Sequence, residues 1–179
     1  MRLFRLILFA FVLLVPGTAG AQGPVDRENL LYIDLDMGRV VIQMRPDIAP
    51  KHVARVKELA RAKFYDGIKF HRVIDGFMAQ TGDPTGTGAG GSGRGELPAE
   101  FSRVAFERGI VGAARSSNPN SADSQFFIMF ARNAGLDGQY TVWGRVIAGM
   151  EFVDKIRRGE PPRNPDRMVR VRVAADEPN

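Results

Sequence analysis

Hydrophobic and polar positions alternate with a period of two over much of the chain. Leu31, Ile33 and Leu35 alternate with polar neighbours, a pattern typical of a half-buried strand. Gly38 supplies a turn, so residues 39–44 are predicted to form the hairpin partner of that strand. Further strand-like segments, rich in β-branched and aromatic residues, are predicted at residues 70–80, 109–114, 125–130, 140–147 and 168–173.

Only two segments show helical spacing. Val53, Val56 and Leu59 recur at the helical period. Pro50 is well placed at a helix start, so a helix is predicted from there to about Lys63. Residues 150–158 predict a second, short helix. Many strands at short spacing with two helices favour an antiparallel sandwich or closed barrel over a parallel α/β sheet.

The first 21 residues have the pattern of a secretory signal peptide. Arg2 and Arg5 precede an apolar run at residues 6–15, which is about half the length that a membrane-spanning helix needs. Residues 19–21 form an A-x-A cleavage site, so we expect periplasmic export and no stable membrane insertion after cleavage. An uncleaved N-terminal anchor is the alternative. The predicted organisation is a signal peptide at 1–21, a flexible leader at 22–29, one domain at 30–176 and a tail at 177–179.

Composition narrows the possible chemistry. A hydrophobic content of 44% is enough to build a core and excludes disorder over the whole chain. The chain has no Cys and two His, so disulfides, thiol catalysis and a Cys- or His-rich metal site are not expected. The net charge of +5 is modest, and basic residues are not interleaved with aromatic ones, so nucleic-acid binding is not expected either.

Two enzyme motifs are suggested by the residues but fail on context. The glycine-rich stretch at 82–93 is not followed by Gly-Lys-Ser/Thr or by a helix, so it is interpreted as a surface loop with positive φ angles. Ser124, His71 and an Asp such as Asp123 or Asp75 could form a hydrolase triad, but no Gly-x-Ser-x-Gly elbow is present. His71 is therefore interpreted as a structural residue, and His52 as an exposed helix residue.

Several motifs, in a consistent order, resemble those of the cyclophilins, a family of peptidyl-prolyl cis–trans isomerases. The stretches are FYDG at 64–67, FHRVI at 70–74, GFMAQTGDP at 76–84, SQFFI at 124–128, LDG at 136–138 and VWGRV at 142–146. The resemblance runs from about Leu30 to Asp176, and Thr81 and the short connections resemble the bacterial branch. It implies a mainly β fold, an eight-stranded antiparallel closed β-barrel capped by two α-helices, with substrate bound on an outer face.

The resemblance also implies the site residues, with no cofactor and no metal. Arg72 matches the catalytic arginine of the family, and Gln80 would hold its guanidinium in place. Phe126 would enter the core and Phe127 the proline pocket. The Arg115 backbone would pair with the substrate strand. The apolar pocket and its borders would be formed by Phe77, Met78, Phe127, Leu136, Gln125 and Tyr140.

Three positions depart from the family pattern. Gly135 stands where the family has Trp or Phe, which removes one wall of the pocket and speaks against cyclosporin binding. Tyr140 stands where many members have His, so an aromatic edge is kept but the polar group differs. Ala113 replaces a frequent Met and is interpreted as a change in core packing.

The expected function is acceleration of X–Pro isomerisation in proline-containing, unfolded or partly folded exported proteins, by a monomer. The alternative is a proline-peptide-binding or chaperone module with weak or no catalysis. Gly135 favours the alternative, whereas the intact pair of Arg72 and Gln80 favours the enzyme.

Overall fold

A computed structural model of the protein describes residues 26–178. The predicted signal peptide and the first part of the predicted leader lie outside these residues. Within them, none of the helices is long and apolar enough to cross a membrane. The strands are β1 (Leu30–Leu35), β2 (Gly38–Met44), β3 (Arg72–Ile74), β4 (Met78–Thr81), β5 (Ile110–Ala113), β6 (Phe126–Met129), β7 (Val142–Ala148) and β8 (Arg170–Val173). The helices are α1 (Pro50–Arg61) and α2 (Met150–Val153).

The eight strands form one antiparallel sheet in the order β3-β4-β6-β5-β7-β2-β1-β8. The predicted closed barrel is not found, because the edge strands β3 and β8 are not paired and the sheet is a curled half-barrel. Val73 in β3 exchanges its outer backbone hydrogen bonds with Gly159 instead, each at 2.8 Å. The two edges approach only before the strands begin, where Lys69 and Arg167 form an isolated bridge. The free edge of β3 is thus covered by the segment after α2.

Helix α1 begins at Pro50, as predicted, and buries the face formed by Val53, Val56 and Leu59. The helix contacts β8 and β7. Lys63 has a φ of 57°, and the Phe64 N–H donates to the Leu59 carbonyl at 2.9 Å. A left-handed residue just past the last turn ends the helix because it redirects the chain while satisfying the final carbonyls.

Helix α2 is shorter than predicted and contacts β2. After Val153 the hydrogen bonds change to the i→i+3 pattern, from Lys155 to Phe152 and from Ile156 to Val153. The apolar spacing predicted helix through residue 158 because this tighter turn still buries Ile156.

The two faces of the sheet bury two different clusters. The main core takes Phe126, which meets Trp143 and Tyr65 edge to face at ring separations of 5.3 and 5.7 Å. A smaller cluster on the opposite face contains Phe127 and Met78. Adjacent residues on a strand point to opposite faces. The expected placement of Phe126 in the core and Phe127 on the other face is therefore confirmed.

The prediction that His52 is exposed is wrong. Its side chain is buried, and Nδ1 lies 2.6 Å from the Glu100 carboxylate. Helical periodicity could not reveal this contact, because Glu100 belongs to an irregular segment far along the chain. Burial lowers the pKa of His52, although the adjacent carboxylate opposes that effect.

Candidate active site

A cleft of about 100 Å³ opens above the smaller cluster. It is lined by Arg72, Phe77, Met78, Gln80, Ala114, Arg115, Phe127, Leu136 and Tyr140. Eight of the nine site residues that the resemblance implies therefore lie around one opening. The ninth, Gln125, lines an adjoining, more polar cavity of about 320 Å³ that shares Gln80 and Arg115 with the cleft.

Strand pairing brings Arg72 and Gln80 together. The two residues are direct cross-strand partners in the β3–β4 ladder. Partners that face each other across an antiparallel pair project to the same side of the sheet. A guanidinium nitrogen of Arg72, Nη1, donates to Gln80 Oε1 at 3.5 Å, so this contact is long. The Arg72 side chain is 42% exposed at the mouth of the cleft.

Gln80 is itself held by a chain of amide hydrogen bonds. Its Nε2 donates to Gln125 Oε1 at 2.9 Å. Gln125 Nε2 then donates to the carbonyls of Gly88 and Gly90 at 2.9 and 2.8 Å. Because each amide uses both its donor and its acceptor, the orientation of Gln80 depends on where the glycine-rich loop places two backbone carbonyls.

The glycine-rich loop is folded around the buried carboxylate of Asp83. This carboxylate accepts hydrogen bonds from the backbone N–H of Thr85 at 2.8 Å and of Gly88 at 2.6 Å, and from the Thr85 hydroxyl at 2.8 Å. Burial alone would raise the pKa of Asp83, but these hydrogen bonds outweigh it and bring the pKa to about 2. Gly86 and Gly88 have positive φ angles, as predicted for the loop.

Aromatic packing forms the apolar wall of the cleft. The Phe127 ring stacks on Phe106 at a centroid distance of 5.8 Å and meets Tyr140 edge to face at the same distance. Gly112 makes room for these rings, because a Cβ there would lie 2.6 Å from Phe127 Cζ and 2.7 Å from Phe106 Cε1. The absence of a side chain at Gly112 in β5 therefore lets the Phe127 ring pack closely against the sheet.

A short 3₁₀ turn carries Leu136 to the cleft. Asn133 Oδ1 accepts from the Gly135 N–H at 3.0 Å, and Asp137 Oδ1 accepts from the Phe106 N–H at 2.8 Å. The first bond caps the start of the turn, and the second ties the residue at its end to the segment before β5. Gly135 itself is exposed, so no side chain from this position covers the cleft.

Arg115 lines the cleft beside Tyr140. Its guanidinium carbon is 4.3 Å from the centre of the Tyr140 ring, and its Nη2 donates to the Gln139 carbonyl at 2.9 Å. A cation over an aromatic face is attracted by the negative potential of the ring. These contacts hold the Arg115 side chain against Tyr140 and the Gln139 carbonyl.

The arrangement offers a fixed cation beside an apolar pocket and contains no evident nucleophile. The Ser124 hydroxyl donates to the Gly82 carbonyl at 2.7 Å, and the residue is buried, which argues against the hydrolase alternative. Among residues 26–178, no group of three His, Asp or Glu side chains is placed to hold a metal ion. A cation and an apolar pocket can orient and polarise a substrate but cannot form a covalent intermediate with it.

Sequence reasoning missed three residues at the site. Ala114 lines the cleft, and Phe106 supports Phe127 from below. In the sequence, Phe106 stands out only as a residue that flanks a loop. Glu160 accepts a hydrogen bond from Arg72 Nε at 2.7 Å, across 88 residues of chain. No local pattern in the sequence signals that contact.

Comparison with known proteins agrees with the fold. The family model for "Cyclophilin type peptidyl-prolyl cis-trans isomerase/CLD" matches residues 30–174. A "Probable peptidyl-prolyl cis-trans isomerase" of Brucella suis biovar 1 is 48% identical over an alignment 183 positions long that covers 93% of each chain. The crystal structure of cyclophilin AquaCyp293 from Hirschia baltica superposes with a TM-score of 0.80 at 30% identity, covering 86% of this chain and 77% of that one.

A second solved structure brings a peptide into the comparison. It is a cyclophilin-type peptidyl-prolyl cis–trans isomerase of Cryptosporidium parvum, crystallised in the presence of the dipeptide Ala-Pro. It superposes with a TM-score of 0.76 at 26% identity and covers 84% of this chain and 99% of that one. The family match, the relatives and the common fold together show that this chain belongs to the cyclophilin-type peptidyl-prolyl cis–trans isomerases.

Proposed function

We propose that the protein isomerises X–Pro bonds in proteins that fold after export to the periplasm, with Arg72 as its catalytic residue. The observation that carries the site assignment is the Arg72 guanidinium, bonded to Gln80 at the mouth of an apolar cleft. The presence of Ala-Pro with the Cryptosporidium parvum relative supports a proline-containing peptide as substrate.

The chemistry needs only a cation and a pocket. Partial double-bond character gives the peptide bond a rotation barrier of about 18–20 kcal/mol, and an uncatalysed X–Pro bond exchanges in tens to hundreds of seconds. Resonance is lost when the amide is twisted, so a donor that binds the twisted form better than the planar form accelerates rotation. Arg72 would donate to the prolyl nitrogen or a nearby carbonyl, because a guanidinium stays charged and its donors form a rigid fork.

The apolar side chains of the cleft would hold the proline ring. Phe77, Met78, Phe127 and Leu136 provide the apolar surface, while Gln125 and Tyr140 border it. The Arg115 backbone would pair with the substrate strand. Because these contacts address the ring and the adjacent backbone, we expect little selectivity beyond proline. All of them come from one chain, which supports a monomer as the active form.

Gly135 leaves one side of the cleft uncovered, and this bears on inhibitor binding. With no aromatic side chain at this exposed position, a bulky ligand such as cyclosporin would lose a large contact surface. We propose that cyclosporin binds weakly or not at all, while turnover of peptides persists. Titration with cyclosporin, followed by calorimetry and by inhibition of turnover, tests this; nanomolar inhibition would contradict it.

The decisive experiment is cis–trans exchange in an Ala-Pro peptide, followed by NMR with the purified protein. We expect Arg72→Ala to lower kcat/KM by about 100-fold or more, the magnitude typical of losing one donor to a developing charge. Arg145→Ala is the matched control, since Arg145 is exposed and lies outside the cleft lining. Turnover that survives in folded Arg72→Ala would refute the assigned role. A folded wild-type protein that binds proline peptides without accelerating exchange would favour the chaperone alternative.

Export is tested separately with the full chain. Expression in a bacterial host, cell fractionation and intact-mass analysis should give a periplasmic protein that begins at Gln22. A protein that stays in the cytoplasm, or one that keeps residues 1–21, would contradict the proposed location.

A further inference from the structure

The strongest contact of Arg72 is with a residue that the site assignment does not include. Arg72 Nε donates to Glu160 Oε2 at 2.7 Å, whereas the Nη1 contact with Gln80 is 3.5 Å long. The Arg72 and Glu160 side chains are 42% and 51% exposed. An ion pair this exposed adds little to the stability of a fold. Its short and directed geometry therefore points to a role other than folding.

The backbone holds Glu160 beside Arg72. Gly159 and Val73 exchange two backbone hydrogen bonds of 2.8 Å, so residue 160 follows directly after a point that is bonded to β3. Pro162 is buried on the far side of Glu160. With one anchor on each side, the segment keeps the carboxylate over the arginine even though the side chain faces solvent.

Some N–H groups of the Arg72 guanidinium are bonded to the protein, and the others are free to bond a substrate in the cleft. Nε is bonded to Glu160 and Nη1 to Gln80, while within residues 26–178 no partner bonds Nη2. A guanidinium is planar, so bonds to two of its nitrogens fix both its tilt and its rotation. The N–H groups of Nη2 and the second N–H of Nη1 are then the donors that remain for the substrate.

The basic side chains on either side of Glu160 do not compete with Arg72 for the Glu160 carboxylate. Arg158 Nε is bonded to Asp75 at 3.0 Å and its guanidinium lies over the Phe130 ring, so it is occupied elsewhere. Arg163 is exposed in the segment after Glu160 and carries the same sign as Arg72. Glu160 is thus the acidic side chain that contacts the Arg72 guanidinium.

We propose that Glu160 is a positioning residue, which holds the Arg72 guanidinium in the orientation that the twisted prolyl bond requires. The inference rests on the proposed catalytic role of Arg72. A group that orients a transition-state donor affects kcat more than KM, because the planar substrate does not yet use the donor. Loss of the carboxylate should therefore leave peptide binding intact and slow the exchange step.

The test compares three substitutions by NMR exchange at subsaturating and saturating peptide. We expect Glu160→Ala to lower kcat about 3- to 10-fold with KM within twofold of wild type. Glu160→Gln should keep kcat within about twofold, because its amide oxygen can still accept from Nε. Glu151→Ala, which removes an exposed acid on α2, is the matched control and should leave both parameters unchanged.

A spectroscopic signature separates orientation from a general effect on folding. The Arg72 Nε–H proton should give a resolved, slowly exchanging NMR signal in the wild type and in Glu160→Gln, and the signal should be lost in Glu160→Ala. The melting temperature of all variants should stay within about 1 °C, since an exposed pair contributes little.

Two results would overturn the inference. If Glu160→Gln loses as much kcat as Glu160→Ala, the charge rather than the orientation matters. If Glu160→Ala keeps full kcat while Arg72→Ala is inactive, the assigned role of Arg72 stands and the positioning role of Glu160 is wrong. If Arg72→Ala is itself fully active, the catalytic role proposed for Arg72 is wrong. Measuring Arg72→Ala beside Glu160→Ala therefore distinguishes failure of the proposed function from failure of the positioning role.

Discussion

Replacement of Asp83 by Asn should show how much the folded glycine-rich loop contributes to stability and to the site. The two carboxylate oxygens of Asp83 accept from Thr85 and Gly88, all from N–H or O–H donors. An Asn side chain has one acceptor oxygen and one NH₂ group, so in either orientation it places a donor against a donor. At least one buried hydrogen bond is lost, and the donor that made it is left without an acceptor.

The magnitude follows from the pKa of Asp83. Its value of about 2 in the folded protein compares with an ordinary value of 3.8, and each pKa unit corresponds to about 1.4 kcal/mol. The ionised carboxylate therefore stabilises the fold by about 2–3 kcal/mol at neutral pH. For a chain of this size, that predicts a melting temperature about 5–10 °C lower in Asp83→Asn.

The pH dependence of the unfolding free energy gives a sharper test than the melting temperature at one pH. Because the folded pKa is depressed, the stabilisation is complete above about pH 5 and is lost as the pH falls from about 4 towards 2. Urea unfolding of wild type and Asp83→Asn should thus give a constant difference in unfolding free energy from pH 7 to 5. The difference should shrink between pH 4 and 2.5.

Asp75→Asn is the matched control, since Asp75 is exposed and forms an exposed ion pair with Arg158. Its effect should stay below about 1 kcal/mol. A difference for Asp83→Asn that stays unchanged down to pH 2.5 would refute the argument from the carboxylate charge.

Turnover gives a second readout. The loop carbonyl of Gly88 orients Gln125 and through it Gln80, so kcat/KM should also fall.

Three further substitutions test single contacts. Gly112→Ala should lower the unfolding free energy measured in urea by about 1–3 kcal/mol and raise KM, because a Cβ there would lie 2.6 Å from Phe127 Cζ. An unchanged unfolding free energy and KM would contradict the packing argument. Gly135→Trp should strengthen cyclosporin binding measured by calorimetry, and no gain would show that the missing wall is not the cause. Tyr65→Phe should lower the unfolding free energy by about 1 kcal/mol without affecting turnover, since its hydroxyl donates to the Ser124 carbonyl at 3.1 Å in the core.

Local patterns in the sequence predicted most of the elements. The alternation in residues 31–35 and the turn at Gly38 predicted the first hairpin, which the structure confirms as β1 and β2. The adjacent Phe126 and Phe127 predicted two faces of one strand, and each ring lies in its own cluster. These features could be predicted because side-chain direction along a strand repeats every two residues, whatever the rest of the fold does.

Motif resemblance, rather than periodicity, predicted which residues share the cleft. Residues 72, 115, 127 and 136 lie in four separate segments, and no spacing rule brings them to one place. The roles assigned to them remain predictions that the Arg72→Ala experiment tests. The eight antiparallel strands implied by the same resemblance are found, but they form a curled half-barrel rather than a closed barrel, because strands β3 and β8 are not paired and Val73 pairs with Gly159 instead.

The sequence by itself determined the succession of most strands and of the two helices along the chain, the two-sided character of β6 and the family to which the chain belongs. The single strand-like segment predicted at 70–80 is two strands, β3 and β4, which pair with each other. Only the tertiary structure decided how the sheet edges are covered, why His52 is buried and what contacts Arg72. Each of these depends on contacts between distant segments, such as His52 with Glu100 and Arg72 with Glu160. Periodicity records which face of an element is buried, but the partner on that face is set by the path of the whole chain.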